Sequence, residues 1–206
     1  MITYVILGAT YAFAAAAQPG PCQAFLLSRA VSHGWRRTLP AALAPLHSDG
    51  PIAVLALVVL TRLPSGFEPA LRCAGGVFLT YLAWDSFGTW RKSRWNGTGE
   101  PGSTTKTLLS AAMVNLLNPN PYIGWSLVLG PLLLKGWRET PKNGLALVLG
   151  FYVTMILVTA GIIVLFAAAR NLGPRIRRAL VGASAIALLG FACYELWTGT
   201  RSLLLG

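Results

Sequence analysis

An aspartate in the middle of an apolar run is the sharpest chemical signal in this 206-residue chain. Asp49 follows His47 and Ser48 in a stretch, roughly 39–60, that carries no other acidic or basic side chain apart from that histidine. A carboxylate at the centre of a bilayer costs about 2.5–3.5 kcal/mol on insertion scales, so it is normally kept for a purpose. An apolar setting favours the neutral form of a carboxyl group. That suits a group which takes up and releases a proton, and Asp49 is the expected proton-coupling residue. His47, of a residue type with an ordinary pKa of about 6.5, is expected to share the relay or to hydrogen-bond Asp49.

Two further stretches combine unusual residue types at a shared spacing. Gln18-Pro19-Gly20-Pro21 lies in an uncharged run from Met1 to Ser28, and Asn118-Pro119-Asn120-Pro121 lies in a second apolar run. Proline removes a backbone donor and clashes with the preceding turn, so each stretch is expected to break a helix. In hydrocarbon, such a break is tolerated only where it is buried in protein or lines a wet cavity. A half-helix N-terminus offers free N–H groups to a carboxylate, and a half-helix C-terminus offers carbonyls to an ammonium group. An amino acid presents both charges. Gln18, Pro19, Gly20, Pro21, Asn115, Asn118, Pro119, Asn120 and Pro121 are therefore the expected substrate-binding residues, with the polar side chains adding neutral donors and acceptors.

The elements that must position these residues follow from hydropathy. The chain is 54% hydrophobic and only 11% charged. A soluble domain carries about a quarter charged residues. Six apolar spans can be drawn, roughly 4–27, 39–60, 69–90, 107–134, 144–169 and 179–204. About 20 apolar residues cross a bilayer, so each is long enough. The third is the weakest, because Arg72 and Asp85 fall within it. The polar, Gly-rich loop 91–106, with Asn96-Gly97-Thr98-Gly99, is the natural hinge between halves of roughly 1–95 and 105–206. The N-terminus lacks the basic region of a signal peptide, so a retained first helix is expected.

The net charge of +11 sits in the loops between spans. Loops one, three and five hold Arg29, Arg36, Arg37, Arg91, Lys92, Arg94, Lys106, Arg170, Arg175, Arg177 and Arg178. The other loops and the C-terminal end hold Arg62, Arg72, Lys135, Arg138, Lys142 and Arg201. The positive-inside rule puts the first set in the cytoplasm and both termini outside. This charge reads as topology signalling at an anionic membrane face, and no nucleic-acid partner is expected.

The halves share more than prolines. Gly34-Trp35-Arg36-Arg37-Thr38 follows the first break, and Gly136-Trp137-Arg138-Glu139-Thr140 follows the second. Three spans per half is an odd number, so the second copy must enter the membrane from the opposite side. That is the inverted-topology plan of many secondary transporters. The Gly-Trp-Arg copies also suit interfacial helix ends.

No catalytic set stands out, and an enzyme is not expected. There is no Walker lysine motif and no H-E-x-x-H. Cys22, Cys73 and Cys193 form no paired motif and read as small packing residues, so neither a cofactor nor a metal is expected. Asp85 and Glu195, near span ends, read most simply as solvated interfacial groups. Trp84, Trp90, Trp125 and Trp197 read as interface belts and packing.

Together these residues resemble the lysine exporter (LysE/RhtB-type) translocator family. Pro19-Gly20-Pro21 matches its first motif, Gly34 the glycine of its first loop, and Asn118-Pro119 its second motif. Asp49 falls where many members carry an acidic residue, in a six-span chain of about this length. Many members read Asn-Pro-Lys at the second motif, where this chain has Asn-Pro-Asn-Pro, and Ser48 stands where a glycine is common. The resemblance implies export of amino acids or related small solutes, driven by a proton or ion gradient.

The expected protein is thus an all-α, multi-pass inner-membrane transporter, a single transmembrane domain over 1–206. Six transmembrane helices form two inverted three-helix repeats, with helices one and four broken. Its partners would be a small-molecule substrate, a coupling proton and membrane lipid, and a thin six-span bundle is compatible with a homodimer. The alternatives are an exporter of inorganic cations and a non-transporting integral membrane scaffold or enzyme.

Overall fold

The computed structural model describes residues 1–59, 66–92 and 103–205. The expected hinge at 96–99 and the connection at Arg62 and Pro64 lie outside the described residues. Within them the chain is helical almost throughout and contains no strand. The helices are α1 (Ile2–Ala17), α2 (Pro21–His33), α3 (Trp35–Thr38), α4 (Ala44–Val59), α5 (Phe67–Lys92), α6 (Thr104–Leu116), α7 (Pro119–Gly124), α8 (Gly130–Glu139), α9 (Pro141–Ala168) and α10 (Pro174–Leu205). A 3-10 turn, Leu39–Leu43, leads into α4, and a π-helical turn, Trp125–Leu129, joins α7 to α8.

Two helices, Pro141–Ala168 and Pro174–Leu204, are long and apolar enough to cross a bilayer unbroken, and Ile2–Ala17 is a shorter apolar helix. The first and fourth expected spans are each divided at their proline stretch, as the loss of backbone donors requires. The third folds as one 26-residue helix, α5, and its internal charges are paired. Arg72 meets Glu68 one turn back and Glu195 of α10, while Asp85 pairs with Arg29 of α2 and lies 3.9 Å from Lys106 of α6. Glu195, with its side chain 15% exposed, is not the solvated group that its sequence position suggests, whereas Asp85 is ion-paired but remains partly solvated.

Two helix pairs set the frame. Along α1 and α9, Tyr4 packs with Ala146 and Leu147, Val5 meets Gly150, and Ala12 packs with Phe151, so the helices run parallel. Gly8 and Gly150 lie where the two backbones touch, and a Cβ at either would strike a carbonyl of the other helix. Along α5 and α10, Cys73 meets Gly199, Gly76 meets Leu196, and Trp90 meets Gly182. These helices run antiparallel over most of their length. One buried cluster centres on Phe25, Leu26, Leu82, Ile163 and Leu188. A second joins Ala12, Ile52, Trp125, Leu129 and Phe151.

The two Gly-Trp-Arg copies fold differently. Gly34 ends α2 with φ 82° and ψ 167°, a conformation that L side chains avoid. Gly136 is an ordinary residue inside α8, where the Tyr4 ring packs against it. Gly34→Ala is therefore expected to cost about 1–3 kcal/mol through backbone strain. The check is thermal unfolding of the purified protein, with Gly50→Ala as the comparison. A Cβ at Gly50 meets nothing within 4 Å.

Candidate functional site

The two breaks form by the same local chemistry. A residue before proline is pushed into extended backbone, and proline itself is well placed in the first turn of the next helix. Gln18 accordingly ends α1 with ψ 123°, and Pro21 opens α2. Asn118 adopts ψ 127°, and Pro119 opens α7. In each case the carbonyl two residues before the first proline's predecessor is taken by a later side chain. Gln23 Nε2 donates to Ala16 O at 2.6 Å, and the Tyr122 hydroxyl donates to Leu116 O at 2.8 Å.

The second break has an extra hold, because Asn118 Oδ1 accepts from the Asn120 N–H at 3.0 Å. Pro119 and Pro121 have no N–H, so α7 has little donor capacity left for a ligand. The first break has no side-chain cap. The N–H groups of Cys22 and Gln23 stand in the first turn of α2, which leaves this end the better anion acceptor. Replacing Gln23 with Leu would strand the Ala16 carbonyl at a cost of about 1–3 kcal/mol. The expected result is a lower unfolding temperature in detergent, with no matching loss for a substitution at exposed Gln18.

Both breaks line one cavity of about 700 Å³. Gln18, Pro19, Gly20 and Pro21 contribute from the first, and Asn118, Asn120 and Pro121 from the second. Pro119 is buried and is not part of the cavity wall. Asp49 and Asn115 also face the cavity.

Asp49 is 3% exposed. The Asn115 amide donates to Asp49 Oδ1 at 2.6 Å and to Ser48 Oγ at 2.7 Å, linking α4 to α6. Tyr11, Trp125 and Phe151 line the same cavity wall as Asp49, and Tyr152 packs against Phe151. Phe151 ties these aromatic rings together, with centroids 5.7 Å from Trp125, 6.3 Å from Tyr11 and 5.1 Å from Tyr152. The π-helical turn begins at Trp125, and such turns often mark functional sites. A buried carboxylate beside aromatic faces is a receptor for an ammonium group, through a charge-assisted hydrogen bond and cation–π attraction.

The structure brings Asp49 and Asn115 together and does not bring His47 to them. His47 is exposed, its Nδ1 lies 3.1 Å from Leu43 O, and it is not part of the cavity wall. Residues that the sequence reading did not assign to the site also line the cavity. Tyr11, Gln23, Trp125, Phe151 and Thr159 all line the cavity, and so does Glu195. The aromatic residues among them carry no local signal, because such residues in apolar spans are equally at home in a lipid-facing belt.

The LysE type translocator family model matches residues 13–199 of the chain. No curated protein and no solved structure matches it.

Proposed function

Because the chain belongs to the LysE type translocator family, we propose that it is a secondary transporter, not an enzyme, which exports amino acids or related small solutes from the cytoplasm by proton antiport. The observation that carries this reading is the buried Asp49–Asn115 pair in a cavity lined by both helix breaks.

In this reading α1 with α2, α4, α5, the broken α6–α8 unit, α9 and α10 make six crossings of the inner membrane, in two inverted halves. Parallel α1 and α9 and antiparallel α5 and α10 run in the directions that six alternating crossings require. Both termini then face outward, with the more basic loops inside. Two copies of so thin a bundle make a reasonable working unit.

The cycle uses residues already in place. From the cytoplasm, ionised Asp49 takes the ammonium group of the solute against the aromatic wall. The N–H groups of Cys22 and Gln23 receive its carboxylate. One half rocks against the other and the cavity faces outward. A proton from the more acidic side neutralises Asp49, the ammonium loses its partner, and the solute leaves. The neutral site returns and gives up its proton inside. A protonated carboxyl no longer holds the cation, so proton and solute exclude one another at a single group, which is the requirement for antiport.

Counterflow in proteoliposomes with an imposed pH gradient tests this. A panel of amino acids would be offered with the pH of each side varied. Transport accelerated by acid on the receiving side supports the reading. A protein that moves no amino acid under any gradient excludes this substrate class.

A further inference from the structure

The cavity holds a second carboxylate that this cycle does not use. Glu195 of α10 lines the cavity wall, and also a narrow gap bordered by Pro21 of the first break, Asn118 of the second and Gly75 of α5. It therefore stands where the two breaks meet. Arg72 Nη1 donates to Glu195 Oε2 at 3.0 Å, and the same guanidinium donates twice to Glu68 Oε1, at 2.8 and 3.0 Å. The Arg72 and Glu195 side chains are 16% and 15% exposed, whereas that of Glu68 is 55% exposed. Arg72 is thus anchored on the rim of its own helix and reaches across to α10. At this level the two helices touch backbone to backbone. A Cβ at Gly199 would lie 2.9 Å from Pro69 O, and one at Gly76 would lie 3.0 Å from Leu196 N. The ion pair clasps α5 to α10 at the point where α10 faces the cavity.

We propose that Glu195 is a second cargo-facing carboxylate, which exchanges Arg72 for a second cationic group of the solute, beyond the ammonium held by Asp49, so that loading the cavity unclasps α5 from α10. A carboxylate in a partly buried wall needs a cation but is indifferent to which one. Arg72 keeps Glu68 when it lets go, so release strands no charge on α5. A ligand moves a two-state element only by binding one state better, and here the solute competes directly with the clasp. The cargo role rests on the transport reading above. The clasp itself does not.

Cys73 is a natural reporter, since its thiol packs against Gly199 in the same α5–α10 contact. In a Cys22→Ala, Cys193→Ala background, maleimide labelling of Cys73 in proteoliposomes would be followed beside counterflow of a radiolabelled amino-acid mixture. Arg72→Gln and Glu195→Gln are each expected to raise the labelling rate by up to about fivefold, as loss of one ion pair allows. The charge-reversed double variant, Arg72→Glu with Glu195→Arg, is expected to bring labelling down from that of either single variant toward the native rate, short of it because Glu68 then faces a like charge one turn away. Its transport stays lost, because the cavity wall then carries a cation. Unchanged labelling in both single variants overturns the clasp. A double variant that regains transport overturns the cargo role, since the pair is then only a brace. A native protein that moves none of the mixture overturns the transport reading and takes the cargo role with it, while labelling still decides the clasp.

Discussion

Asp49→Asn is expected to yield a folded protein that no longer answers a pH gradient. Asparagine keeps the shape of the side chain and an acceptor for the Asn115 amide, so the α4–α6 link survives. The charge does not. A charge-assisted hydrogen bond is worth about 1.5–3 kcal/mol, so the apparent affinity for an ammonium-bearing solute should fall about 10- to 100-fold. Loss of the pH response should be complete, because the carboxyl group that exchanges its proton is gone. Both quantities come from one assay, counterflow in proteoliposomes with the gradient imposed and then collapsed. His47→Ala is the informative comparison: its ring lies outside the cavity, and the pH response is expected to persist. Full coupling in Asp49→Asn would move the proton path elsewhere and reduce Asp49 to a link between helices.

Gly8→Ala and Gly150→Ala are each expected to destabilise the fold, and together to cost more than any single substitution considered above. The Gly8 Cβ would lie 2.9 Å from Phe151 N and closer still to the Leu147 carbonyl oxygen. That of Gly150 would lie 2.5 Å from the Val5 carbonyl oxygen and 3.0 Å from Val5 Cα. Backbone atoms cannot swing aside as a side-chain tip can, so α1 and α9 must separate along much of their contact. Inserting volume into a packed interface costs about 1–3 kcal/mol, and the double variant should cost more than either alone. Size-exclusion profiles and thermal melts in detergent would show this as a shrinking monodisperse peak and a lower transition. Gly161→Ala in the same helix, where nothing lies within 4 Å of the new Cβ, should be silent. Because Tyr11 and Phe151 sit on the same α1–α9 contact, a surviving Gly8→Ala protein should also bind solute less well.

What the sequence reveals and what it hides divide along the range of the forces involved. The breaks at Pro19 and Pro119 are legible because proline acts on its own turn and on the residue before it. Asp49 is legible because its desolvation cost is so large that few arrangements repay it. Asp49 and His47 are neighbours in sequence that stand apart in the fold, for a simple reason. Residues two apart on a helix point to nearly opposite faces, so when one lines a cavity the other turns away from it. The Arg72–Glu195 pair joins residues 123 apart in sequence, and no local pattern announces it. The Gly-Trp-Arg copies mislead in another way. Identical triplets adopt different backbones, because one terminates a helix while the other is held within a helix by Tyr4.

The two breaks also differ in mechanical compliance. The second is splinted twice, by a local Asn118 bracket and by the Tyr122 phenol, whose rigid ring has two torsions. The first depends on one Gln23 amide at the end of a side chain with three torsions. A joint spanned by a single long tether bends before one held by two short braces. Thermal bending is therefore expected to concentrate between α1 and α2, with the α6–α7 joint as the stiffer frame. A chain whose halves echo each other in sequence is in this respect lopsided, with one soft elbow and one stiff one.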